Sequence, residues 1–233
     1  MPFWRKNRRE PPKPTPGPRT IVTGMEPLIR CLQLSTGHHE WNAGATDAEI
    51  AVAEELIGRR LPRVLRALYE MSNGAGLVGG NLNYYSLVSR EDRLSLATAS
   101  AWLTSLNSNS PIPDEVVIFG DNGGDSVFGL WLPRNATEDT PNPVLEFGEG
   151  CESFAVAGTN LLNFFKGRVA NYLLIHNPPL DALDELGLPL SLHPTEFDDG
   201  EFTRIILWAD PGLPDPHPDP YERPVSVDTL RGL

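Results

Sequence analysis

Val116-Val117-Ile118-Phe119-Gly120-Asp121-Asn122-Gly123-Gly124-Asp125-Ser126-Val127-Phe128-Gly129-Leu130-Trp131-Leu132 is the stretch on which the fold turns. From Pro111 onward the apolar period becomes two, the period of a strand. Val116–Gly120 reads as one strand and Ser126–Leu132 as its return. Between them, Asp121-Asn122-Gly123-Gly124 is a turn, because glycine tolerates the positive φ a tight reversal needs. Pro143-Val144-Leu145-Glu146-Phe147 supplies a third strand. Short connections of this kind join antiparallel neighbours, whereas parallel strands need a crossover of a dozen residues or more.

Upstream the pattern is helical. Thr46-Asp47-Ala48-Glu49 is a capping box, in which the Thr hydroxyl takes the Glu49 amide and the Glu carboxylate returns to Thr46. Ile50, Ala53, Leu56 and Ile57 form the expected apolar stripe, and Gly58 the stop. Pro62 opens a second helix at a first-turn position, where its missing N–H costs nothing. Val64, Leu65, Leu68, Tyr69 and Met71 are expected on its buried side, with Arg59, Arg60, Arg63 and Arg66 in water. The glycine-rich stretch 74–80 reads as a loop leading into a short strand, Leu82–Leu87. Ser89-Arg90-Glu91-Asp92 caps a further helix with Leu94, Ala97, Ala101, Trp102 and Leu106 behind it. Thr159 begins a closing helix whose core side is Leu161, Leu162, Phe165, Val169, Tyr172 and Leu173. Helices, then hairpins, then a helix define an α+β domain with an antiparallel, meander-type sheet rather than a doubly wound one.

The 233 residues carry a net charge of −12, unevenly spread. Residues 1–45 hold seven Lys/Arg against three Asp/Glu, whereas 46–175 hold nine against sixteen and 176–233 three against twelve. Such a body repels phosphate backbones, which disfavours nucleic acid as its ligand, and attracts basic partners. Residues 1–20, basic and Pro-rich from Pro11 to Pro18, are expected to be a disordered or polyproline leader. Residues 21–175 form the expected domain and 176–233 an acidic, Pro-rich extension. The extension holds a short amphipathic helical segment (Leu180–Leu186), one strand (Phe202–Trp208) and a disordered tail from about Pro211. No apolar run is long enough to span a membrane. A basic start followed by prolines is not a signal peptide. Two separated cysteines, Cys31 and Cys151, make no disulfide framework and suit a reducing cytoplasm.

A search for catalytic and metal chemistry returns little. Gly74–Gly80 lacks the Lys-Ser/Thr ending and the strand-to-helix setting of a phosphate loop. Asp121–Asp125 resembles part of a calcium loop, but the closing acidic position falls on Leu132. His38-His39-Glu40 points adjacent side chains to opposite sides, which does not chelate one metal. Cys151 is flanked by Glu149 and Glu152, whose charges raise rather than lower a thiol pKa. Asp198-Asp199-Gly200-Glu201 is a solvated acidic loop. No catalytic residue, cofactor or metal is therefore assigned, and a binding protein is the expectation.

Ile50–Gly58, Leu61-Pro62, Leu65-Arg66-Ala67-Leu68-Tyr69 and Ser72-Asn73-Gly74, followed by Ile112-Pro113 and Val117–Asp125, resemble the hallmarks of the SUKH (Smi/Knr-type) superfamily. Val144–Phe147 and Phe154–Phe165 are similar to its closing strand and helix. The resemblance covers about residues 46–175; the insert at 89–109 and the chain beyond 176 depart from the pattern. It implies a domain without catalytic machinery. Many bacterial members are immunity proteins encoded beside polymorphic toxins, often nucleases; others are scaffolds in fungal cell-wall and stress signalling. A toxin or other basic protein is the partner so implied. The basic leader suits the alternative, an adaptor. The sheet is expected to be half-exposed, with one open face, and the expected contact surface is its hairpin tip, Asp121, Asn122 and Asp125, with Glu115 and Glu146 adding charge. The competing expectation is that Asp121 and Asn122 only stabilise the turn.

Overall fold

The computed structural model describes residues 39–77, 80, 82–88, 94–106, 112–137, 140–148, 154–173, 193–195, 204–206, 210, 212 and 226–231. The leader, Cys31, Cys151, the Ser89 cap and the Leu180–Leu186 segment lie outside them. Strand β1 is Glu40–Trp41, and helix α1 is Asp47–Ile57. Its capping box forms as expected: the Glu49 amide donates to Thr46 Oγ1 at 3.2 Å, and the Thr46 amide to Glu49 Oε2 at 2.8 Å. Gly58 closes the helix with φ at 68°, in the left-handed region. Ile50, Ala53 and Glu54 are buried. Leu56, expected in the stripe, is 60% exposed. Six residues beyond Ile50 it has rotated well off the face that Ile50, Ala53, Glu54 and Ile57 share. Glu54 takes its place inward and accepts the Leu61 amide at 2.9 Å, fixing the step into α2 (Arg63–Met71).

Helix α2 buries Leu65, Leu68 and Tyr69, with Val64 and Met71 half-buried against the same cluster. Arg59 is not free in water. Its guanidinium donates to the Leu132 carbonyl at 3.0 Å and to the Asp114 carbonyl, clamping the end of α1 to the sheet. The glycine-rich stretch is partly strand: β2 is Ala75–Leu77 and pairs with both β1 and β3 (Leu82–Tyr84). Helix α3 is Leu96–Leu106, begun by Ser95, which is bonded to Thr98 through both backbone and hydroxyl. Its inward residues are Leu96, Ala99 and Leu103, and Trp102 is exposed. The expected face was read from a start at Ser89, and moving the start to Ser95 turns a different stripe inward.

Strands β4 (Val116–Asp121), β5 (Val127–Trp131) and β6 (Val144–Phe147) stand as read. Strand β7 (Phe154–Gly158) follows, and helix α4 (Leu161–Leu173) closes the domain. All seven strands lie in chain order, each antiparallel to the next, as a single meander. Strands β8 (His193–Thr195) and β9 (Arg204–Ile206) make a separate pair.

Alternation along the strands sends side chains to two cores. Val117, Phe119, Phe128, Leu130 and Val144 meet Ile50, Leu65, Leu68, Phe164 and Phe165 on one face. Val116, Ile118, Trp131, Leu145 and Phe147 meet Ala99, Leu103 and Leu230 on the other. The expected sheet with one open face is thus corrected, because no position in the middle of β4 is polar and each face has to be covered. Phe164, unnoticed in the sequence stripe, stacks edge-on to Phe128 with centroids 4.8 Å apart. Burying a phenylalanine of this kind contributes about 1.5–3 kcal/mol.

The tail past Pro211 also differs from expectation. Val227–Arg231 is a short helix, α5, with Leu230 buried in the second core. Asp210, likewise buried, accepts the Thr159 amide at 2.6 Å and the Asn163 side chain at 3.1 Å. It thereby serves the start of α4 from 51 residues downstream.

Gly120 sits at a register shift between β4 and β5, and a Cβ there would lie 2.1 Å from the Asn83 carbonyl oxygen on β3. Backbone in a central strand cannot step aside as a flexible side chain can. Gly120→Ala is expected to destabilise the protein by about 2 kcal/mol or more in urea denaturation. A loss within experimental error of wild type would mean that β3 and β4 are not in this register.

Candidate protein-binding site

The hairpin tip is built by its own side chains. Asn122 Oδ1 accepts the Gly124 amide at 2.9 Å and the Ser126 amide at 3.0 Å, while its backbone N–H donates to the Ser126 carbonyl at 3.0 Å. Asp121 Oδ1 accepts the Gly123 amide at 2.8 Å and Asn83 Nδ2 at 2.7 Å. Asn83 donates again to the Gly80 carbonyl at 2.8 Å, so the turn is tied to the loop between β2 and β3. Gly123 has φ at 73°, and any Cβ there would lie 2.2 Å from the Gly80 carbonyl oxygen. Only glycine permits that approach. Burial, reinforced by the charge and hydrogen bonding of Asp121, pushes the Tyr85 hydroxyl pKa well up. The Asp121 Oδ1 and Asn122 Oδ1 atoms are therefore engaged in holding the turn together. Of the three tip residues, Asp125 is exposed and the other two are half-buried.

The other two expected residues do not join the tip. Glu146 shares a face with Val144 and points into the first core, where it is 7% exposed and ion-paired with Arg168. The Arg168 guanidinium in turn lies 4.8 Å from the centre of the Phe128 ring. A buried carboxylate so enclosed is structural, and removing its cation would strand a charge. Glu115 precedes β4 and stands at the end opposite the tip, about 20 Å away for a six-residue strand. No shared acidic patch of five residues exists.

Glu115 belongs to a different group of residues, which the sequence reading missed. Its Oε1 accepts Arg231 Nε at 2.7 Å, from α5. Its Oε2 is buried without a partner from another described residue. A cleft of about 310 Å³ opens beside it, walled by Glu115, Trp131, Pro133, Pro141, Leu230 and Arg231. The signal for α5 lay in Ser226, whose hydroxyl accepts the Thr229 amide at 3.1 Å, with Asp228 in the first turn and Arg231 in the last. A cap without a long apolar stripe is easily passed over in a Pro-rich tail. Five residues are too few to hold a helix unaided, so α5 is helical because Leu230 is docked.

Among the described residues no helix is long and apolar enough to cross a membrane, and no group of three or more His, Cys, Asp or Glu could hold a metal ion. A seven-strand antiparallel meander with helices on both faces, carrying a self-capped acidic hairpin, is an α+β domain. The family model for the SMI1 / KNR4 family (SUKH-1) matches residues 44–159, and this part of the chain belongs to that family. Comparison with curated proteins gives no match.

The Arg231 hydrogen bond, against the opposing effect of burial, holds the Glu115 carboxyl below the usual carboxylate range. A depressed pKa makes the contact fully effective above the ordinary glutamate value of about 4.3, and lost as pH falls through the lower folded value. Protection of the amides at 227–231, measured relative to the intrinsic exchange rate at each pH, should therefore fall as the solution is acidified below about pH 4.3. In Glu115→Gln that acid step should vanish. An unchanged step in the variant would assign the release to another group.

Proposed function

We propose that the chain is a non-catalytic protein-binding module acting in the cytoplasm as an immunity protein, which neutralises a toxin by direct binding. The observation that carries this reading is the SUKH-1 domain over residues 44–159, since the family includes immunity proteins. The charge narrows the partner. A nuclease toxin has to present Lys and Arg to a phosphate backbone, and an inhibitor covering that surface works best when acidic. A net charge of −12 supports such a pairing. Complementary fields raise the association rate more than they add to final affinity.

The decisive experiment is co-expression with the toxins encoded beside the gene, followed by affinity pull-down and a growth assay. Relief of toxicity together with a retained toxin is expected. If every neighbouring toxin stays active and none is retained, the immunity reading fails.

Asp125 offers a finer test at the hairpin. It is exposed and accepts a hydrogen bond from Asn122 Nδ2 at 3.3 Å. Asp125→Lys should leave stability within about 0.5 kcal/mol of wild type. It should slow toxin association at low salt by on the order of tenfold if the tip steers the partner. An unaltered on-rate would place the steering surface away from this hairpin.

A further inference from the structure

Among the described residues three large apolar side chains are left in water: Val52 and Leu56 on α1, and Trp102 on α3. Val52 and Leu56 stand one turn apart, with the exposed Ala48 and Ala51 beside them. Trp102 likewise belongs to an exposed stripe, with Thr98, Ala101 and Ser105 at the spacing of one helix face. Helices α1 and α3 touch each other, so the two stripes belong to adjoining helices. Single apolar residues on a surface are ordinary, whereas a contiguous patch marks a contact site. We propose that this face joins two copies of the chain in an isologous dimer, with the two α1 helices antiparallel and Val52 on the two-fold axis. The inference stands apart from the proposed function, which concerns a different partner.

Charge selects a second copy as the occupant. From Leu96 to Leu106, α3 carries no charged residue. A basic partner would find no acid there to pair with, whereas two chains of net charge −12 meet on it without burying like charges. The two ends of α1 also complement each other. Asp47 opens the helix and Arg60 follows its end, and both are largely exposed. In an isologous contact residue i meets j wherever j meets i, so an antiparallel pair sets each Asp47 toward the Arg60 of the other copy. Each already pairs within its own copy, Asp47 with Arg66 and Arg60 with Glu54, and the new contact extends that network. Shape follows the same axis. Val52 is the middle residue of α1, so an axis through it places Leu56 of one copy opposite Ala48 of the other, large against small. Trp102 flanks the seam from the adjoining helix, and Glu55 borders it at the wet rim. Three large side chains and a fringe of alanines fall short of the roughly 800 Å² per partner of a standard interface. The dimer is accordingly weak and reversible, with a Kd on the order of 10–100 µM.

Sedimentation equilibrium of the full chain from about 10 µM to about 1 mM tests the proposal. Wild type should pass from monomer to dimer across that range. Leu56→Asp, at an exposed position, should stay monomeric throughout, and Trp102→Ala should raise the Kd by roughly fivefold or more. Asn135→Asp adds the same charge at an exposed position outside the face and should dimerise as wild type does. Circular dichroism establishes that each variant is folded, and Trp102→Ala carries the test should Leu56→Asp not fold. The axis has its own readout. With Cys31→Ser and Cys151→Ser as background, Val52→Cys should cross-link copy to copy under mild oxidation, since a disulfide spans Cα atoms up to about 7 Å apart. Asn135→Cys in the same background should not. A wild-type chain that stays monomeric over the whole range overturns the proposal, and loss of toxin neutralisation in Leu56→Asp would then give the face to the toxin. Dimerisation indifferent to Leu56→Asp and Trp102→Ala, or a dimer that Val52→Cys does not lock, overturns it as well.

Discussion

Strands β4 and β5 are apolar at successive positions, not at alternate ones, and this constraint organises the rest of the molecule. A strand displays its side chains to opposite faces in turn, so an unbroken run such as Val116–Phe119 leaves two oily surfaces back to back. One layer of helices covers only one of them. Helices α1, α2 and α4 serve the face with Phe119 and Phe128; α3 and α5 serve the face with Ile118 and Trp131. Leu96 reaches the first core and Ala99 the second, so α3 joins the two layers at its opening turn. The meander order follows from the same economy, since each short reversal places the next strand beside the last without a crossover.

Much of this was legible in the residues themselves. The capping box at Thr46, the glycine stop at Gly58 and the turn at Asn122-Gly123 are local devices, and local devices leave local marks. What escaped notice depended on distance along the chain. Leu56 looks like part of a stripe until Glu54 is known to be needed at the Leu61 amide. Glu146 looks like a surface charge until Arg168, 22 residues later, is seen to lie across Phe128. The two-residue strand β1 carries too little pattern to be read at all and exists because β2 offers it an edge. The second face reads as open because part of its cover, Leu230, lies about a hundred residues beyond the strands it protects.

The candidate site shows the same division. Asp121 and Asn122 are acidic or polar for reasons internal to the turn, and the glycines beside them answer to Gly80 and Asn83. A motif of this density is a scaffold that holds Asp125 outward. At the opposite end of β4 the Glu115 carboxylate holds α5 through one oxygen and buries the other. Charge composition pointed to a basic partner. Composition has no geometry, however, and could not say which of the many carboxylates are committed to contacts within the chain.

Asp210 gives the chain a clasp. It bonds the backbone and hydroxyl of Thr159, the residue at which the family match ends, so the limit of sequence similarity falls on a junction rather than beside one. The helix that seals the first core therefore has its opening turn completed by chain that the family pattern does not include. Local opening and global unfolding are linked at such a place. Without the Asp210 carboxylate the amide of Thr159 loses its acceptor, and the loosened turn stands directly before Phe164 and Phe165. Asp210 and the helix it completes are in this respect one cooperative unit, and the slowest-exchanging amides of α4 would report on a residue some fifty positions away.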